Sequence, residues 1–156
     1  MKVAVLTGGG DCPGLNAVIR AIVRRSVSHG FEVMGLRDGW KGLIEDDHFR
    51  LTRETTSGIL HRGGTILGTS RVNPFKVENG LERVMRTVER HQIGAVIAIG
   101  GEGTLSAAAQ MYKHGLKVVG IPKTIDNDLN CTDFTFGFDT AVMIATEAVD
   151  RLHSTA

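Results

Sequence analysis

An apolar run, Val3-Ala4-Val5-Leu6, gives way to Gly8-Gly9-Gly10, after which Leu15, Val18, Ile19, Ile22 and Val23 recur at helical spacing and stop before Gly30. Phe31-Glu32-Val33-Met34-Gly35-Leu36 then returns as a second extended run. A strand, a one-faced helix and another strand make a βαβ unit, whose right-handed crossover joins parallel strands.

The same alternation continues downstream. From Gly80 to His91, the positions Leu81, Val84, Met85 and Val88 predict an amphipathic helix feeding a strand over Ala95 to Ile99. Thr104 is expected to cap the next helix, with Leu105, Ala108, Ala109 and Tyr112 as its buried stripe and Gly115 as a left-handed C-terminal cap. A strand over Val118 to Ile121 and a last helix carrying Ala141, Ile144, Ala145, Ala148 and Leu152 complete the pattern. Asp38 to Thr69 is broken by Gly39, Gly42, Gly58, Gly63, Gly64 and Gly68, and reads as short strands, one small helix around Ser57 to His61, and functional loops. The expected fold is α/β: an open, mostly parallel, doubly wound sheet with helices on both faces, forming one lobe without internal repeats.

Composition narrows the function. With 42% hydrophobic residues and no apolar run near ~20 residues, the 156-residue chain suits one soluble domain rather than a membrane span. Its 18 basic and 17 acidic residues are dispersed and only 5% of residues are aromatic, so no basic stripe or stacking platform for nucleic acid is evident. The N-terminal apolar strand is too short for a signal-peptide core, which points to the cytoplasm. Cys12 and Cys131 have neither zinc-site spacing nor disulfide-scaffold density and are expected to be reduced thiols.

Four loops carry the chemistry. Gly8-Gly9-Gly10-Asp11-Cys12-Pro13-Gly14 lies between a strand and a helix, where free amides and the helix dipole favour an anion. The plain alternative is a tight turn, but three consecutive glycines exceed what a turn needs. Pro13 stands where a dinucleotide fingerprint would place its third glycine, and no Gly-Lys-Ser/Thr sequence occurs, so neither the Rossmann nor the P-loop template is met. In Gly100-Gly101-Glu102-Gly103-Thr104 the single carboxylate suits magnesium beside phosphate oxygens, or else serves only as a helix N-terminal charge. Arg71 is either a phosphate clamp or a solvated loop residue. In Pro122-Lys123-Thr124-Ile125-Asp126-Asn127-Asp128, Asp126 and Asp128 are expected to point to opposite sides, one of them toward a substrate hydroxyl. A polar turn closed by Asx hydrogen bonds is the other reading.

Taken together, Leu6 to Asn16, Gly63 to Arg71, Gly100 to Thr104 and Pro122 to Asp128 resemble the 6-phosphofructokinase family in order and spacing across essentially the whole chain. Any one of these glycine loops is a weak signal, since NAD kinases and lipid kinases use a similar Gly-Gly-acidic-Gly-Thr loop. The resemblance implies transfer of the ATP γ-phosphoryl group to the 1-hydroxyl of fructose 6-phosphate. It implies Asp126 as proton acceptor, Thr124, Ile125, Asp126 and Asp128 at the sugar side, and Gly9, Gly10, Arg71, Val72, Gly101, Glu102, Gly103 and Thr104 at ATP, with Glu102 on Mg2+. Familiar bacterial members carry aspartate where this chain has Glu102, which leaves room for a water-mediated contact.

Two departures concern the donor. Lys123 resembles the pyrophosphate-dependent branch, whereas Gly103 resembles ATP users, a mixture like that of the actinobacterial-type group; ATP is the expected donor. Arg20, Arg24 and Arg53 resemble effector-site positions, but Gly58 replaces an acidic residue there, so regulation does not carry over. The resemblance further implies a homotetramer or homodimer. The chain reaches about the midpoint of a usual member, lacking the later sugar-phosphate-gripping segments, and is expected to be a nucleotide-binding N-terminal lobe over residues 1–156 that is inactive alone. A pyrophosphate-dependent enzyme and a non-catalytic regulatory lobe are the competing readings.

Overall fold

A computed structural model describes residues 1–153. Five strands, β1 (Lys2–Thr7), β2 (Glu32–Leu36), β3 (His48–Leu51), β4 (Ile93–Gly100) and β5 (Val118–Pro122), form one sheet in the order β3-β2-β1-β4-β5. All neighbours are parallel except the antiparallel pair β2 and β3. Five helices, α1 (Leu15–Ser28), α2 (Trp40–Glu45), α3 (Gly80–Arg90), α4 (Glu102–Lys113) and α5 (Phe138–His153), accompany it, with one 3-10 turn at Pro74–Lys76.

Side chains on a strand alternate between faces, and both faces of this sheet are covered. Leu15, Ile19 and Val23 of α1 pack with Val5, Val33 and Ile99 on one side. On the other, Ala4, Leu6, Met34 and Val96 meet Leu43 of α2, Val84 of α3, and Ala107 and Met111 of α4. Each large aliphatic side chain fully buried this way contributes about 1.5–3 kcal/mol. This is the doubly wound arrangement expected from the sequence.

Local expectations fared differently. No helix forms around Ser57 to His61, where the chain runs through turns; the short helix of this region is α2. Its apolar residues Trp40, Leu43 and Ile44 sit at helical spacing, but Gly42 disguises them as a loop. That glycine is required because a Cβ there would press on the backbone of Arg37 and Asp47. Thr104 is not a cap: α4 begins at Glu102 with Gly101 at the N-cap, and Thr104 is buried within the first turn. The buried stripe is accordingly Thr104, Ala107, Ala108 and Met111, with Leu105 half-buried and Ala109 and Tyr112 exposed. Gly115 does take the left-handed conformation (φ 92°), and the Leu116 amide donates back to the Met111 carbonyl at 3.1 Å, closing α4 as expected.

Candidate functional site

The Gly8–Gly14 loop, the start of α4 and the Lys123–Asp128 segment all follow the C-terminal ends of parallel strands, β1, β4 and β5. From β1 the chain crosses to β2 on one side, and from β4 to β5 on the other, so a crevice opens between the adjacent strands β1 and β4. Different forces set the three glycines of the first loop. A Cβ on Gly8 would collide with the Thr104 side chain, as would one on Gly100, which is how α4's first turn comes down onto both strand ends. Gly9 has φ 83°, a conformation that favours glycine. A Cβ on Gly10 would meet nothing, so neither packing nor torsion accounts for that residue.

Over this crevice lies a cavity of about 320 Å³. Gly9, the first turn of α4 from Gly101 to Thr104, and the segment Arg71, Val72 and Asn73 line it. The first amides of a helix have no intrahelical acceptor, and here they border a cavity that Arg71 and Lys76 also line, which makes it suited to an anion. The glycine-rich segment before Arg71 is held by buried polar groups: Asn16 Nδ2 donates to the Arg62 carbonyl (3.0 Å), its Oδ1 accepts from the Ile66 amide (2.9 Å), and the Thr7 hydroxyl donates to the Gly68 carbonyl (2.7 Å). Trp40 adds an apolar wall, its indole N–H donating to the Thr104 carbonyl at 3.3 Å. Trp40, Ser70, Asn73 and Lys76 were not singled out from the sequence as site residues. The one tryptophan of the chain and a lysine five residues after Arg71 were the available signals.

A second cavity, of about 580 Å³, contains Thr124 and Asp128. Glu102 lines both cavities and stands at their boundary. The acidic segment itself is coiled rather than extended, and residues two apart on an extended chain would share a face, so strand geometry does not set Asp126 and Asp128 to opposite sides. The Thr124 hydroxyl donates to Asp128 Oδ1 (3.0 Å) and accepts from the Asp126 amide (3.2 Å), while Asn127 is left-handed at φ 53°. Asn127 anchors the turn: its Oδ1 accepts from the Thr135 amide at 2.9 Å, and the Thr135 hydroxyl donates to the Thr124 carbonyl at 2.7 Å. Ile125 and Asp126 are exposed and line neither cavity. Oxygen donors from Glu102, Thr124 and Asp128 around adjoining spaces are the hard ligand chemistry that magnesium takes, so the residues present fit that ion.

Lys123 crosses from the end of β5 to the first loop, where its ammonium donates to the Gly10 carbonyl. It is only 3% exposed and forms no ion pair among the described residues. A buried ammonium without a counter-charge is costly, which makes Lys123 a natural partner for an anion at Gly9 and Gly10. Cys12 is buried beside it, its thiol 3.2 Å from the Phe136 carbonyl. Burial pushes that thiol's pKa up, a trend Asp11 reinforces and the Lys123 charge only partly offsets. Cys12 and Cys131 are both free. Of the arginines weighed as effector ligands, Arg53 lines a cavity of about 460 Å³ to which neither Arg20 nor Arg24 contributes.

The chain is 60% identical to ATP-dependent 6-phosphofructokinase 3 of Streptomyces coelicolor and 57% identical to pyrophosphate–fructose 6-phosphate 1-phosphotransferase of Amycolatopsis methanolica. Both matches cover 100% of this chain and 46% of the relative, so the chain spans about half the length of the curated relatives it matches. Among solved structures, phosphofructokinase of Pichia pastoris in the T-state superposes with a TM-score of 0.90 at 32% identity, over 97% of this chain and 18% of that one. No described helix is long and apolar enough to cross a membrane. The family model described as Phosphofructokinase matches residues 2–156, and the chain belongs to that family.

Proposed function

We propose that this chain is the nucleotide-binding lobe, residues 1–156, of an ATP-dependent 6-phosphofructokinase that phosphorylates the 1-hydroxyl of fructose 6-phosphate in the cytoplasm. The protein acts as a homodimer or homotetramer, and its sugar-phosphate lobe lies outside this chain. The observation that carries the reading is Glu102 at the boundary between an anion-suited cavity and the cavity of Thr124 and Asp128. Donor and acceptor then meet beside one carboxylate. Gly9, Gly10, Arg71, Val72 and Gly101 to Thr104 hold the donor phosphates; Thr124, Ile125 and Asp128 border the sugar, and Asp126 receives its hydroxyl proton. Mg2+ held through Glu102 would neutralise charge shared by the transferring phosphates, while positioning by the loops supplies most of the remaining rate.

A pyrophosphate donor is the second reading, favoured by the buried Lys123 ammonium at the first loop and by the 57% identity to a pyrophosphate-dependent relative. Assaying the intact protein for fructose 1,6-bisphosphate formation with each donor separates the two. A higher kcat/KM with ATP is expected. Preference for pyrophosphate selects the second reading, and turnover with neither, in a protein that binds nucleotide, leaves a regulatory lobe.

A further inference from the structure

Away from the phosphate loops, Asp46 at the C-terminal end of α2, His48 at the start of β3 and His91 just after α3 converge on one point. His91 Nε2 is 2.7 Å from Asp46 Oδ1, His48 Nε2 is 3.4 Å from the same oxygen, and the two ring nitrogens are 3.2 Å apart. As hydrogen bonds these three contacts are not simultaneously satisfied. If His91 Nε2 carries the proton it donates to Asp46, the His48 nitrogen must share that proton at a poor angle or compete for the same carboxylate oxygen. A cation equidistant from all three atoms removes the conflict. Tetrahedral ligands at 2.0–2.2 Å from zinc are separated from one another by about 3.3–3.5 Å, and two of the three edges already have nearly that length.

We propose that Asp46, His48 and His91 form a binding site for a divalent transition metal of the zinc class, separate from the Mg2+ position at Glu102. Neutral imidazoles favour zinc, cobalt or nickel over magnesium, which takes oxygen donors. The second oxygen of Asp46 accepts from Arg90 Nη1 at 2.7 Å, an outer contact that fixes the carboxylate with Oδ1 left for the metal. Both histidines and Asp46 are half-buried, and a cavity of about 230 Å³ beside His48 and His91 leaves room for water as the fourth ligand. The three ligands come from the end of α2, the start of β3 and the end of α3, so the bound ion joins two segments 43 residues apart in the chain. Arg90 and Lys2, whose ammonium donates to the His91 carbonyl at 2.8 Å, surround the site with positive charge and oppose any dication that gains little from nitrogen ligation.

Titrating the intact protein with Co2+ under excess Mg2+ tests the assignment, because saturating magnesium occupies the oxygen site and cobalt bound by imidazole in a four-coordinate site gives a strong visible d–d band. One equivalent of Co2+ should develop the band and one equivalent of Zn2+ should abolish it. His48→Gln and His91→Gln should each weaken binding by about tenfold or more, and Glu102→Ala should leave the band unchanged. Absence of a stoichiometric band in the wild-type protein overturns the site, whatever the folding of the variants. A band that survives both histidine substitutions, or that disappears in Glu102→Ala, overturns it as well.

Discussion

The two sides of the candidate site are built by different means. On the donor side, Gly8 and Gly100 pack directly on Thr104, central strands β1 and β4 carry the loops, and Leu6, Ile99 and Met111 behind them are fully buried. On the acceptor side, the Thr124–Thr135 region hangs on hydrogen bonds among Thr124, Asn127, Asp128 and Thr135, beyond the edge strand β5. The helix that follows exposes Val142, Met143, Ile144, Val149 and Leu152. Apolar packing defines the first side to within the width of one methyl group, whereas the second is defined by short polar contacts in reach of water. The donor side should therefore tolerate little change in shape, and the acceptor side should be governed by individual polar groups.

The sharpest test of that contrast is Asp126, which stands outside both cavities yet is assigned the proton. In the intact enzyme Asp126→Asn should preserve shape and lower kcat by about 10²–10⁴-fold with a much smaller change in KM. A wild-type kcat would remove Asp126 from the chemistry and leave Asp128, which lines the acceptor cavity, as the remaining carboxylate of the segment. Glu102 lies where the two sides meet, and Glu102→Ala should lower turnover by about 10²-fold while raising the magnesium needed for half-maximal rate. If the magnesium titration overlays that of the wild type, Glu102 only complements the dipole of α4.

Gly103 sharpens the donor side alone. A Cβ there would meet nothing, yet the residue lines the anion-suited cavity, so Gly103→Asp should fold normally and place its carboxylate in the cavity. Like charges a few ångströms apart near a protein surface repel by a few kcal/mol, so kcat/KM for ATP should fall by about one to two orders of magnitude. Pyrophosphate, which lacks an α-phosphate and a nucleoside, should lose less, provided Lys123 still neutralises the shorter donor. Equal losses for both donors would show that this position does not discriminate between them.

How far each side could be read from the sequence follows the same division. Apolar periodicity reports packing, so β1, α1, α3, β4 and β5 were legible to within a few residues, as were the glycine loops between them. It failed where a glycine serves packing instead of a turn. Gly42 hid α2, and with it Trp40 at the cavity wall. The register of α4 is hidden in the sequence because Thr104 is polar by type but buried by position, wedged over Gly8 and Gly100, so the stripe is rotated by one residue from the one expected. On the acceptor side, the path of Thr124 to Asp128 depends on a partner eleven residues beyond Thr124, Thr135, a pairing that local spacing does not encode. The convergence of His48 and His91 is likewise a property of topology, from residues 43 positions apart.

The smallest expected effect comes from the cysteines, one on each side. Cys12 is 2% exposed within the first glycine loop, and Cys131 is exposed in the acceptor segment. Alkylation requires a thiolate within reach of the reagent, so at mildly alkaline pH Cys131 should be modified readily and Cys12 only when its loop opens. Because burial raises the Cys12 pKa, its folded state holds the proton more tightly than the unfolded chain does. The stabilisation this brings is fully present below the ordinary thiol range and is lost as pH rises through the raised value. Labelling of Cys12 should therefore go on accelerating with pH above the range in which an ordinary thiol is fully ionised, until the raised value is passed. Mass spectrometry of timed iodoacetamide reactions over a series of pH values measures both rates in one sample. Equal labelling of the two thiols would mean that the donor side opens as readily as the acceptor side, and the contrast in their construction would have no counterpart in stability.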